Sequence, residues 1–316
     1  MKRVLVIDGT NAFYRAHIVD PSLSANGKPI GGLKGFLKIF QKLCRDMKPD
    51  RIVICWDGAG GSKKRKAMDK GYKAGRAPLR LNRNHSMLTP DEEHQNMIEQ
   101  QLKLFDYIDE MPVIQLIAEG VEADDLIAVA CQEFTRAQKI IISSDKDFYQ
   151  LLDDETILYR PIQKKFYNKR RIVEEFDIHP KNFALARAAV GDKSDNIEGV
   201  KGIGLKTISK RVPILKEDKD VTVSDLIKYC KEVDSDLSCY TSLIEEEDKL
   251  KQNYKMMQLY SPLVSIQLRT KIKSMIENYP KQLSKTEIKK MMIKDGFPEI
   301  RMTDLFACMN RIADEV

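Results

Sequence analysis

Three short apolar runs in this chain each lead straight into an aspartate, and that repetition narrows the possible folds more than any other feature. VLVI (4–7) is followed by Asp8, IVIC (52–55) by Trp56 and Asp57, and IIIS (140–143) by Ser144 and Asp145. A fourth run, VIQLI (113–117), precedes GVEADD with Glu122, Asp124 and Asp125. Leu33, Phe36, Leu37, Phe40, Leu43, Cys44 and Met47 recur at three- and four-residue spacing, which predicts an amphipathic helix between the first two runs. Met97, Ile98, Leu102, Phe105 and Ile108 predict another before the third. Strands alternating with helices make crossover units, so the spacing predicts an α/β fold over 1–175, a mainly parallel sheet flanked by helices. Ligands of such a sheet sit beyond the carboxyl ends of its strands, and the acids should converge there.

Beyond about residue 176 the pattern changes. Helical spacing over 182–190, 205–211, 224–231, 243–260 and 303–313 predicts a second, helical domain over 176–316. Leu305, Met309 and Ile312 are expected to pack within it.

More acids follow the strand-end set: Asp147 beside Asp145, then Asp192 and Asp195 in GDKSDN. Two carboxylates about 4 Å apart repel by roughly 4 kcal/mol at an effective dielectric near 20. Such a cluster must bind cations or hold protons, and hard divalent ions prefer oxygen ligands. This many acids is enough for two ions, an arrangement typical of phosphodiester cleavage. Blander readings exist: Asp124 and Asp125 favour a helix N-terminus, and Asp8 and Asp57 suit turns before Gly9 and Gly58. Neither explains the recurrence after successive strands.

Charge points the same way. Between 62 and 85 lie Lys63, Lys64, Arg65, Lys66, Lys70, Lys73, Arg76, Arg80 and Arg83 against Asp69 alone, in a chain whose net charge is only +6. A cationic segment on a near-neutral body is the footprint of a nucleic-acid contact, or else a solvated loop. The six cysteines form no CxxC pair, so they read as reduced core residues in a cytoplasmic setting, not as a disulfide or zinc framework. No apolar run reaches the ~18 residues of a membrane span, and MKRVLVIDGT reads as a first strand, not a signal peptide.

Taken in order, IDGTNAFYRA (7–16), WDG (56–58), YKAGR (72–76), GVEADD (120–125), SSDKDFYQLL (143–152) and GDKSDNIEGVKGIGLKT (191–207) resemble the motifs of the 5′-nuclease, or flap endonuclease, family. The similarity is to bacteriophage 5′ to 3′ exonucleases and flap-type ribonuclease H enzymes, and also to the nuclease domain of bacterial DNA polymerase I. It implies a PIN-like core with a basic helical arch at about 60–96. It also implies a helix-hairpin-helix element at about 182–211 that grips duplex DNA, often with a bound K⁺. By the same resemblance Asp8, Asp57, Glu122, Asp124, Asp125, Asp145, Asp147, Asp192 and Asp195 hold two Mg²⁺ or Mn²⁺ ions, with Asp124 and Asp145 central to catalysis. Lys73 and Arg76 face the scissile phosphate, and Tyr72 stacks on a base, with an ordinary packing aromatic as the other reading of that residue. Gly199, Gly202, Gly204, Lys206 and Lys210 contact the duplex backbone.

The implied activity is structure-dependent exonuclease and flap cleavage, with ribonuclease H action on RNA–DNA hybrids, removing primers or 5′ flaps in replication and repair. The substrates implied are branched or nicked duplexes with a single-stranded 5′ flap. The chain is expected to act as a monomer, with replication proteins as partners. Two other readings compete: a branched-DNA binder without catalysis, disfavoured by the intact acid set, and a PIN-type single-strand ribonuclease, disfavoured by the glycine hairpin.

Overall fold

Six strands form one sheet in the order β3-β2-β1-β4-β5-β6, with every pairing parallel except that of β5 with β6. The computed structural model describes residues 2–75, 88–280, 282–298 and 301–314. The strands are β1 (Lys2–Asp8), β2 (Arg51–Cys55), β3 (Ile114–Leu116), β4 (Ala137–Ile142), β5 (Thr156–Arg160) and β6 (Lys165–Tyr167). Between them run α1 (Gly9–Val19), α2 (Gly31–Met47), α3 (Lys63–Met68), α4 (Pro90–Asp109) and α5 (Ala123–Glu133). β1 and β2 are buried along nearly their whole length, as expected of central strands covered on both faces. β5 and β6 are not legible from apolar runs, because β5 alternates buried with half-buried residues and β6 buries only Tyr167.

The local chemistry of the helices is plain. Each residue of the α2 stripe named above is buried, and the helix ends on Lys48 in the left-handed conformation (φ 47°). α4 starts seven residues before its first apolar position, at a capping box in which Thr89 and Glu92 exchange hydrogen bonds and Pro90 takes the first turn.

The remainder of the chain is α6 (Lys169–Phe176), α7 (Pro180–Val190), the short hairpin β7 (Gly191–Asp192) and β8 (Ile197–Glu198), then α8 (Leu205–Arg211), α9 (Val223–Glu232), α10 (Ser238–Glu245), α11 (Glu247–Met257), α12 (Ile266–Glu277), α13 (Lys285–Lys294) and α14 (Thr303–Asp314). The single helix expected over 243–260 is two, broken at Glu246, whose carboxylate accepts the Lys201 N–H at 3.0 Å.

The change from sheet to helices near 175 does not divide the apolar interior, because one cluster of buried residues runs from Val4 to Ile312. α14 packs on α2 and not, as expected, among the later helices, with Leu305, Cys308, Met309 and Ile312 buried. Arg311 fastens it to Asp50 at 3.0 Å. Tyr279 reaches the sheet too: its hydroxyl accepts the Ile52 N–H at 2.7 Å and lies 2.9 Å from the carbonyls of Ile52 and Pro112. Among the described residues no helix is long and apolar enough to cross a membrane.

Candidate active site

The carboxyl ends of β1, β2 and β4 lie side by side, and each hands an aspartate to the same cavity. Asp8 closes β1 and caps α1, accepting the Asn11 N–H at 3.0 Å and the Ser143 hydroxyl at 2.8 Å. Asp57 follows β2: its own N–H donates to Thr10 Oγ1 at 2.8 Å, and its carboxylate accepts the Ala123 N–H at 2.8 Å, tying the strand end to the start of α5. Gly58 beside it has no room for a side chain, since a Cβ there would sit 1.7 Å from the Ala118 carbonyl oxygen. Asp145 sits on the turn after β4, its N–H donating to Ser143 Oγ at 3.1 Å.

Asp8, Asp57, Asp124 and Asp145 line one cavity of about 490 Å³, together with Lys73, Asn11, Tyr14, Arg15 and the apolar Ile18, Val19 and Ile162. Burial, with the charges of Asp57 and Asp145, pushes the Asp8 carboxyl up to about 7. Burial, with the charges of Asp145, Asp8 and Asp57, pushes Asp124 up as well, against the pull of Lys73. Among the described residues no three His, Cys, Asp or Glu side chains close into a preformed cage around a metal ion. The acids line an open wall, as mutually repelling charges do. Oxygen donors that are buried, crowded and reluctant to ionise together fit hard divalent cations, whose charge removes both penalties.

The other expected ligands part from this wall. Glu122 and Asp125 are buried on the far side of the α5 N-terminus, and Arg65 holds both: Nη1 donates to Glu122 Oε2 at 2.5 Å and to Asp125 Oδ2 at 2.7 Å, while Nη2 reaches Asp125 Oδ1 at 3.3 Å. Successive helix residues lie about 100° apart, and here Asp124 lines the cavity while Asp125 turns to Arg65. This corrects the expectation that all three acids of GVEADD line the site.

Asp147 and Asp192 are bridged by Arg187, 3.2 Å from Asp147 and in close contact with Asp192. Burial and the Asp145 charge push Asp147 up to about 7, whereas hydrogen bonds from Ser194 and the Arg187 charge outweigh burial at Asp192 and hold it below the usual range. Asp195 stands beside the 72–73 turn: its carbonyl accepts the Lys73 N–H at 2.8 Å, and its charge bears on Lys73 and Tyr72.

Tyr72 corrects a second expectation. It is only 3% exposed, clustered with Ile197, Met256 and Met257, and its hydroxyl donates to Glu122 at 3.1 Å, so its ring has no free face for a base. Lys73, in a left-handed turn (φ 56°), points its ammonium at Glu122 Oε1, 2.5 Å away. Arg76 lies outside the described residues, as do 77–87 of the expected arch.

In the glycine segment, Gly199 presses on the Val190 carbonyl, where a Cβ would be 2.1 Å away, and Gly202 takes φ 74°. Gly204 then opens α8 with no capping side chain, and Lys206 and Lys210 lie on that helix. Sequence reasoning missed the anchors Arg65 and Arg187. Arg65 lay hidden inside a basic run, and nothing local told it apart from its solvated neighbours.

The family model described as "5'-3' exonuclease, N-terminal resolvase-like domain" matches residues 3–177. The chain belongs to the 5′–3′ exonuclease family. It is 30% identical over 270 residues to a 5′–3′ exonuclease of Aquifex aeolicus, covering 83% of each protein. It is also 32% identical over 212 residues to the DNA polymerase I of Thermus aquaticus, matching 66% of this chain but only 23% of that much longer protein. In fold it is similar to the T5 D15 protein co-crystallised with metal ions, with a TM-score of 0.70 at 20% identity, covering 88% of this chain and 99% of that one. The matched segment takes in the six-stranded sheet whose strand ends carry the acids.

Proposed function

We propose that this 5′-nuclease hydrolyses phosphodiester bonds in branched or nicked duplexes with a 5′ single-stranded flap, and in RNA–DNA hybrids, using two divalent cations. The observation that carries the reading is the one cavity in which three strand ends and the start of α5 assemble Asp8, Asp57, Asp145 and Asp124 beside Lys73. These four carboxylates would hold Mg²⁺ or Mn²⁺, with Asp147, Asp192 and Asp195 on the neighbouring side. When bound, the ions lower the pKa of water and neutralise charge on the attacking and departing oxygens.

The chain's own residues do the rest. Lys73 and Arg76 meet the non-bridging oxygens of the scissile phosphate, where a cation is worth most as charge develops. Ser143 and the Asn11 N–H fix the Asp8 carboxylate, and the Ala123 N–H fixes Asp57, so neither must reorganise when substrate arrives. Gly199, Gly202 and Gly204, with a K⁺ ion, and Lys206 and Lys210 grip the duplex backbone, contacts that position without reading sequence. Residues 1–175 then act as the catalytic unit and 176–316 as the duplex-holding part. Removal of primers or flaps alongside other replication proteins follows from this substrate choice.

The test offers 5′-flap DNA, nicked duplex and an RNA-primed hybrid in parallel, with Mg²⁺ and with chelator. Cleavage of at least one substrate at a defined position, lost with chelator, is expected. Turnover that persists with all divalent ions removed would overturn the reading.

A further inference from the structure

We infer that Arg65 is a positioning residue for Lys73: by standing as the permanent counter-ion of Glu122, it frees Lys73 to leave that carboxylate for the scissile phosphate. The inference rests on the reading above that Lys73 meets the phosphate.

Glu122 is 3% exposed and divides its two oxygens. Oε1 takes Lys73 Nζ at 2.5 Å; Oε2 takes Arg65 Nη1 at 2.5 Å and the Tyr72 hydroxyl at 3.1 Å. The two cations differ in freedom. Arg65 is itself buried, forks onto Asp125 and spends Nε on the Met256 carbonyl at 2.9 Å, so every edge of its planar group is committed. Lys73 is a flexible point charge with one carboxylate partner among the described residues, and it also lines the catalytic cavity. Its backbone is pinned: the N–H donates to the Asp195 carbonyl, and Asn196 donates to Gly71 O at 2.9 Å. Only the side chain need swing.

A buried carboxylate stripped of its cations is costly, and it holds on to whichever one remains. With Arg65 present, Glu122 keeps a charged partner and the Tyr72 hydroxyl after Lys73 departs. Without Arg65, Glu122 and Asp125 together face Lys73 alone, and the ammonium stays parked on Glu122. The arrangement therefore sorts four charges into a fixed pair and an exchangeable one.

The experiment is a cycle of single-turnover cleavage rates on 5′-flap DNA with Mg²⁺. The variants are Arg65→Met, Arg65→Lys, Glu122→Gln and the double Arg65→Met/Glu122→Gln, each also in a Lys73→Ala background. DNA binding in chelator and thermal midpoints are followed throughout. Arg65→Met is expected to slow cleavage about 30-fold with binding changed less than about threefold, and Glu122→Gln added to it is expected to recover about fivefold by releasing Lys73. In the Lys73→Ala background Arg65→Met should change the rate less than about twofold, because its route of action is gone. Equal losses in both backgrounds, or no recovery in the double variant, would overturn the inference while leaving the role of Lys73 intact. An unaltered rate in Lys73→Ala alone would overturn the role of Lys73, and the inference with it. Should Arg65→Met fail to fold, Arg65→Lys carries the same comparison, with a loss of about fivefold that likewise disappears without Lys73.

Discussion

Asp124 and Asp125 share a peptide bond and serve two different regions of the molecule. Asp124 belongs to the cavity wall, where Asp8, Asp57 and Asp145 crowd it with no cation among the described residues forked onto any of them, and its charged form is disfavoured. Asp125 belongs to the packing of α3 against α5, where Arg65 holds it in a fork and Leu263 donates an N–H at 2.8 Å. One set of acids is kept at a cost that Ser143, the Asn11 N–H and the charge of Lys73 relieve only in part. The other is neutralised on the spot and fastens α3 to α5 and to the 256–263 segment. Carboxylates left uncompensated in a cleft are the functional candidates; compensated ones are structural.

The largest effect that separates these regions is on turnover. Asp145→Asn and Asp124→Asn should each cut single-turnover cleavage by about 10³-fold or more, with duplex binding in chelator within a few fold of normal. Binding lost in step with cleavage would place these acids in the structural group instead. Between α3 and α5 the loss falls on stability: Asp125→Ala leaves Arg65 half-paired in a buried site and should cost about 3 kcal/mol in denaturant unfolding, a cost that Asp124→Ala does not share. Equal costs for the two neighbours would erase the distinction.

The pH response sharpens the same contrast. Asp8 is raised from 3.8 to about 7, so the folded protein keeps a proton that the unfolded chain has given up. Its contribution to stability is present below 3.8 and is lost as pH climbs toward about 7. A divalent ion takes the place of that proton, so the gain in thermal midpoint on adding Mg²⁺ should be larger at about pH 7.5 than at about pH 5.5. A gain independent of pH would mean that the cavity acids do not meet the ion. Smallest is the effect at the hairpin: Lys206→Ala or Lys210→Ala should weaken duplex binding modestly and lower the salt dependence by about one counterion each, measured as the slope of log affinity against log salt.

How legible the molecule was from its residues varied with location. β1, β2 and β4 announced themselves because strands buried on both faces must be continuously apolar, and the aspartate after each marked the edge where the acids share a cavity. β6, with Lys165 and Phe166 exposed, carried no such mark. The start of α4 was readable at Thr89-Pro90-Asp91-Glu92, but attention to apolar spacing alone placed it too late. Tyr72 sits in a run of lysines and glycines that reads as surface, yet Met256 and Met257 come from α11 to cover it. α14 carries an amphipathic stripe that fits any apolar groove, and nothing within 303–314 names α2 as its partner.

Residue spacing alone settled the α/β alternation, the sheet edge where the acids converge and the excess of acids over cations along the strand ends, because each follows from periodicity and charge along a single stretch. Three-dimensional packing decided which acids face the cavity and which are neutralised. Arg65 meets Glu122 and Asp125 across more than fifty residues of chain, and Arg187 meets Asp147 across forty. A carboxylate's charge state depends on the nearest cation in space, and distance along the chain does not report it.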